Sequence, residues 1–206
     1  MLDQQIRTCE VNEPRVLDVL RSTPREAWAP PGFRDMAFAD MAIPIGHGQK
    51  MLTPQIEGRI LQSLDIQSID EILEIGTGTG YLSACLARLG ASVHSLDIFA
   101  EFVSSASRRF DEQRITGIRA DVADATTYDF DTKYDVVVIS AALPKLSDRY
   151  TDLLKPGGRL FVFTGEAPVM KAKIVTRQGE TLLTESLFES LVEPLINARS
   201  DSAFEL

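Results

Sequence analysis

The stretch Glu74-Ile75-Gly76-Thr77-Gly78-Thr79-Gly80-Tyr81 has the clearest capacity for chemistry in this chain of 206 residues. Three glycines in five residues permit a sharp strand-to-helix turn and let a ligand approach the backbone, where the unpaired N–H groups of a helix start can meet it. The third glycine comes one residue too early for the dinucleotide fingerprint G-x-G-x-x-G, and an acidic residue stands two before the first, which points away from NAD. Glu74 lies near the end of a short apolar run, where an ionised carboxylate needs a cationic or hydrogen-bonding partner. Asp97, about 20 residues past the loop, ends the next apolar run, the place from which a carboxylate accepts hydrogen bonds from ribose hydroxyls. Asp121, with Val122 beside it, follows the third run. Each of these two acids also has a plainer reading: Asp97 suits the cap of a following helix and Asp121 a turn.

The surrounding sequence supplies elements to carry these groups. From Glu71, short apolar runs alternate with helical periods, the signature of βαβ units around a parallel sheet. The runs cover 72–75, 93–96, 115–119, 134–139 and 159–163. Leu82, Leu86 and Leu89 mark one intervening helix, and Phe102, Ala106 and Phe110 mark another at i, i+4 spacing. Val136 to Ile139 is apolar on both faces and belongs in the sheet centre. Segments 171–177 and 181–195 flank the turn Gln178-Gly179-Glu180, so an antiparallel pair closes the otherwise parallel sheet. Residues 1–66 read as helix and loop, a cap rather than a sheet. Pro14 opens the periodic run Val16, Leu17, Val19, Leu20, and Thr53-Pro54 supplies an N-cap and first position for a helix bearing Ile56, Ile60, Leu61 and Leu64 on one face. The last ten residues or so read as a polar tail.

Composition narrows the function classes. A net charge of −9 and a pI near 4.8 argue against a nucleic-acid or anionic-membrane partner, since binding to phosphates is carried by Lys and Arg. Lys171, Lys173 and Arg177 offer only a short basic stripe. No apolar stretch approaches the roughly 18 residues of a membrane span, and the first residues show no leader pattern. The expectation is a soluble cytoplasmic protein. Cys9 and Cys85, with His47 and His94 as the only histidines, give no metal-ligand spacing and read as reduced thiols and isolated imidazoles.

The E-x-G-x-G-x-G arrangement resembles the first motif of the class I S-adenosylmethionine-dependent methyltransferases. That resemblance implies an α/β, Rossmann-like fold: a mostly parallel seven-stranded sheet, an antiparallel C-terminal strand and an N-terminal helical cap. It implies S-adenosyl-L-methionine as cofactor, held by Glu74, Gly76, Thr77, Gly78, Gly80, Asp97, Asp121 and Val122, with Asp121 accepting from the adenine amino group. A closer resemblance spans nearly the whole chain. Thr23-Pro24-Arg25-Glu26, Ala42-Ile43-Pro44-Ile45-Gly46-His47-Gly48-Gln49, the glycine loop, Ser140-Ala141-Ala142 and Lys155-Pro156-Gly157-Gly158-Arg159-Leu160 follow the order and spacing of the protein-L-isoaspartate O-methyltransferase family. Val192-Glu193-Pro194-Leu195 is similar to that family's F-V-P-L ending, with Glu193 intruding. The implied reaction transfers a methyl group to the free α-carboxylate of isoaspartyl residues in proteins or peptides, a repair step. Residues 1–66 would then form the cap and acceptor side, and 67–206 the cofactor-binding core, in one compact unit.

The acceptor side departs from the family pattern. Where the family continues T-I-S-x-P, this chain has Lys50-Met51-Leu52-Thr53-Pro54. Leu52 stands at the position of the family's active-site serine and has no hydrogen-bonding group. Thr53 is the nearest hydroxyl, as a catalytic group or merely as a helix cap, and Asp40 matches a family acid, though it equally suits a solvated loop. Val169 takes a place where the family often has glutamine. A small-molecule acceptor, or a protein that binds the cofactor without turnover, therefore stands beside isoaspartyl methylation as an alternative.

Overall fold

The computed structural model describes residues 11–198; Cys9, the chain start and residues 199–206 of the expected tail lie outside it. The front of the described chain runs through α1 (Pro14–Ser22), two 3₁₀ turns (Arg25–Ala27 and Pro31–Met36), a hairpin of β1 (Ile43–Gly46) and β2 (Gln49–Met51), and α2 (Pro54–Ser63). Pro14 and Pro54 both occupy the first helical turn, and Thr53 Oγ1 accepts from Ile56 N at 3.3 Å to cap α2. The hairpin corrects the expectation of helix and loop alone. Its turn places Gly46, His47 and Gly48 at φ values of 106°, 51° and 71°, and two of the three are the residue that adopts such angles without strain.

The back of the chain is β3 (Glu71–Ile75), α3 (Tyr81–Leu89), β4 (Ser92–Asp97), α4 (Ala100–Glu112), β5 (Ile118–Val122), β6 (Tyr134–Leu143), α5 (Asp148–Thr151), β7 (Leu154–Glu166), β8 (Val169–Gln178) and β9 (Thr181–Ser190). These strands form one seven-stranded sheet in the order β5-β4-β3-β6-β7-β8-β9. Pairing is parallel from β5 to β7 and antiparallel for β7 with β8 and β8 with β9. The Rossmann-like expectation holds. β6 is the central strand: Val136 and Val138 face one apolar cluster and Val137 and Ile139 the other, which is why its sequence shows no alternation. The first cluster runs unbroken from Val16, Trp28 and Ile60 of the front into Leu86, Phe110 and Phe161 of the back. Among the described residues no helix is long and apolar enough to cross a membrane.

One strand lies further along the chain than expected. The run 115–119 reads as the third strand, but Arg114 and Gly117 take φ values of 53° and 80°, so the chain is still turning there. Ile115 instead packs against the first cluster from the turn, and β5 begins at Ile118.

Candidate functional site

The sheet order reverses between β3 and β6, and a cleft opens at that point, beyond the carboxyl ends of the parallel strands. It encloses about 1030 Å³ of empty space, open mouth included. Gly76, Gly78, Asp97, Asp124 and Ser140 line the sheet side, and Ile45, Lys50, Leu52, Thr53 and Ile56 line the cap side.

The glycine loop is held from several directions. Gly76 N donates to Leu96 O at 2.8 Å, and Ser140 Oγ donates to the carbonyls of Ile75 and Gly76, each at 3.1 Å. A Cβ on Gly76 would stand 2.3 Å from that Ser140 oxygen, so the position must be bare. Gly78 N donates to Asp97 Oδ2 at 2.9 Å, and Phe99 N donates to Asp97 Oδ1 at 3.0 Å. Gly80, at φ 85°, opens α3, and a Cβ there would meet Phe110 and Ala106 of α4 within 3 Å. Thr77 is buried, its hydroxyl 2.7 Å from Ser95 Oγ.

Asp97 therefore both braces the loop and presents a carboxylate to the cleft. Burial raises its pKa above the ordinary aspartate value, against the backbone hydrogen bonds from Gly78 and Phe99. Glu74 plays a different part from the expected one. It does not line the cleft and has no exposed surface. Its Oε2 accepts from Ser83 Oγ of α3 and from Ser95 Oγ at 2.6 Å, while Oε1 has no partner. Burial pushes the Glu74 carboxyl up to about 7, opposed by the two serines.

Asp121 and Val122 are not brought to the cleft. Because β5 starts late, both are strand residues, paired with Leu96 and Asp97. The Asp121 carboxylate meets His94 Nε2 at 2.9 Å and Arg119 Nε at 2.7 Å, and Val122 is exposed. The acid that enters the cleft from this strand is Asp124, in Ala123-Asp124-Ala125. Its Oδ1 accepts from Thr126 N at 2.8 Å and its Oδ2 from Asn197 Nδ2 at 2.7 Å. Burial works against ionisation there, but these hydrogen bonds and the nearby Arg149 charge prevail and hold the carboxyl below the ordinary aspartate value. The signal in the sequence was Gly117: a glycine that must turn excludes the residues before it from the strand and moves the following acid three positions on.

The hairpin forms the roof. The His47 ring stacks on Phe99, centroids 4.2 Å apart, and packs edge-on against Phe102, tying the hairpin to the start of α4. Leu52 lines the cap side beside Ile45 and Ile56, and Thr53 reaches the cleft while serving as the cap of α2. Asp40 is exposed and does not line the cleft, and Val169 begins β8 away from it. A residue whose role the sequence did not disclose is Arg25, nearly closed to water. Its guanidinium donates to Ala37 O at 2.7 Å and to Leu52 O, pairs with Glu57 of α2, and lies 5.1 Å from the Tyr81 ring centroid. Burial lowers its pKa to about 10, with the electrostatic influence of Tyr81 opposing. Cys85 is a buried thiol, pushed up to about 12 by burial, and so is inert.

Comparisons with known proteins bear on the whole of this arrangement. Residues 1–197 match the family model described as protein-L-isoaspartate(D-aspartate) O-methyltransferase. A protein-L-isoaspartate O-methyltransferase of Methanoculleus marisnigri is 35% identical over 181 residues, covering 87% of this chain and 82% of that protein. Its counterpart in Xylella fastidiosa is 33% identical over 189 residues, covering 91% and 90%. A Plasmodium falciparum structure described as this kind of enzyme in complex with S-adenosyl-L-homocysteine superimposes with a TM-score of 0.83 at 15% identity, covering 94% of this chain and 96% of that one. The fold is thus shared with that group along almost the full chain, and the protein belongs to the protein-L-isoaspartate O-methyltransferase family.

Proposed function

We propose that this chain methylates the free α-carboxylate of isoaspartyl residues in proteins or peptides, with S-adenosyl-L-methionine as donor, inside the cell. The observation that carries the reading is the cleft itself: a braced glycine loop with Asp97 on one wall, and the hairpin of the Ile43-Pro44-Ile45-Gly46-His47-Gly48-Gln49 segment as the other.

The donor set suits the cofactor. Asp97 offers a carboxylate at the end of β4 to a ribose diol, and Asp124 offers one to an adenine amino group, with Phe99 and Ala125 as apolar neighbours. Gly76 and Gly78 keep the loop bare, and Thr77 and Glu74 support it from beneath. Bound there, S-adenosylmethionine supplies a sulfonium methyl group. The chain's own task is then modest. A carboxylate is a nucleophile at neutral pH, so no general base is needed, and the cap has only to align the acceptor and keep water out. Ile45, Leu52 and Ile56 furnish an apolar wall for the second purpose.

The test is transfer of labelled methyl to matched isoaspartyl and aspartyl peptides, scored before and after mild alkali. Alkali-labile label on the isoaspartyl peptide alone is the expected result, and equal label on both would overturn it. Leu52 favours a second reading, a less polar acceptor outside proteins; label that appears on a non-protein lysate component and survives alkali would select it.

A further inference from the structure

Two of the positions at which this chain leaves the family pattern meet each other. Lys50 replaces a small hydroxyl residue and Glu193 interrupts the V-P-L ending. Lys50 Nζ lies 2.6 Å from Glu193 Oε1, and both residues line the acceptor side of the cleft. Glu193 is fixed by its backbone: its carbonyl accepts from Ala142 N at 2.9 Å, and Leu195 N donates to Ala142 O at 2.8 Å. The pair thus joins β2 of the roof to the segment that is hydrogen-bonded to the end of β6.

We propose that Lys50 receives the acceptor's carboxylate and that Glu193 occupies Lys50 until the acceptor displaces it. The inference rests on the methyl transfer proposed above and assigns the group that recognises its acceptor. Among the described residues lining the cleft, Lys50 is the only cation, set against Asp97, Asp124 and Glu193. An incoming carboxylate meets Glu193 and the apolar wall of Ile45, Leu52 and Ile56 unless Lys50 turns to it, because Leu52 has nothing to donate. Glu193 can be replaced at little expense: the two side chains are 48% and 31% exposed, and ion pairs so open to water contribute little by themselves. An ammonium has three donors on a flexible stem. It can hold one carboxylate oxygen and leave the lone pairs of the other free to face a methyl group.

The alternative for such a pair is a simple latch holding the roof closed. The two roles differ in sign. If Lys50 captures the acceptor and Glu193 competes for it, Lys50→Gln and Glu193→Gln act in opposite directions; if the pair is a latch, they act alike. A fluorescent isoaspartyl peptide is titrated by anisotropy against both variants and the parent in the presence of S-adenosylhomocysteine, and methyl transfer is followed in parallel. For Lys50→Gln the expected result is binding weakened and KM raised about tenfold with kcat within about twofold. For Glu193→Gln binding tightens and KM falls about threefold. Affinity for S-adenosylhomocysteine stays constant in both, which certifies the fold. Shifts in the same direction, or no shift, overturn the inference while leaving the proposed reaction standing if the parent still methylates the peptide. A parent protein that neither binds nor methylates it overturns both.

Discussion

The guanidinium of Arg25 and the carboxylate of Glu57 form an ion pair inside the cap, each side chain at most 3% exposed. Because the same guanidinium also donates to Leu52 O and Ala37 O, it ties α2, the second 3₁₀ turn and the end of β2 to one point. Removing one partner of such a pair strands a buried charge, so Arg25→Met should lower unfolding free energy by about 3–5 kcal/mol, and Arg25→Met with Glu57→Met by less. Urea unfolding of the single and double variants checks this. A single variant within about 1 kcal/mol of the parent would mean the pair is not isolated from water.

Glu74 predicts a pH dependence of stability. Its folded pKa, about 7, lies above the ordinary 4.5, so the protonated form is the one the fold prefers. The contribution is full below about 4.5 and is lost as pH rises through about 7. Relative to Glu74→Gln, the parent should lose roughly 3 kcal/mol of stability across that interval. Unfolding curves for both proteins at pH 5 and pH 8 decide the point; parallel profiles would show that the carboxyl keeps an ordinary pKa.

Asp121 and Asp124 separate sharply. Asp124 lines the cleft, whereas Asp121 is engaged by His94 and Arg119 outside it. Asp124→Ala should weaken S-adenosylhomocysteine binding about tenfold or more, and Asp121→Ala should leave it unchanged. Calorimetric titration of both variants measures this, and the reverse order would restore the expectation read from sequence.

Thr53 has a structural duty that is already visible. Its hydroxyl accepts from Ile56 N, so Thr53→Ala should lower stability by about 1 kcal/mol and Thr53→Ser should restore it. Turnover on an isoaspartyl peptide should change by less than about twofold. A large fall in kcat with unchanged stability would instead make this hydroxyl a participant in the reaction.

The sequence disclosed the elements whose signals are local. The glycine loop, the apolar run of β6 and the Thr53-Pro54 helix start each carry their explanation within a few residues, and each stands where expected. Asp124 is not legible because an edge strand such as β5 has no fully buried face to mark its register: its residues are half-buried or exposed without a regular alternation, and Ile115 supplies a false start. The hairpin was missed because its four- and three-residue strands are too short for a period to show. Arg25 and the Lys50–Glu193 pair lay beyond reach for another reason. Their partners are 32 and more than 100 residues away, and no local pattern encodes which charge a distant charge will meet.

The seating of segment 191–196 against β6 also fixes the order in which the cleft can be finished. As the chain leaves the ribosome, the glycine loop, Asp97, Asp124 and Ser140 are all present before the strands β7 to β9 have emerged. The wall that includes Glu193 and Pro194 follows only after β9. A chain stalled before residue 191 would therefore contain the donor-side residues and the hairpin roof, yet lack the segment that completes the wall against the acceptor.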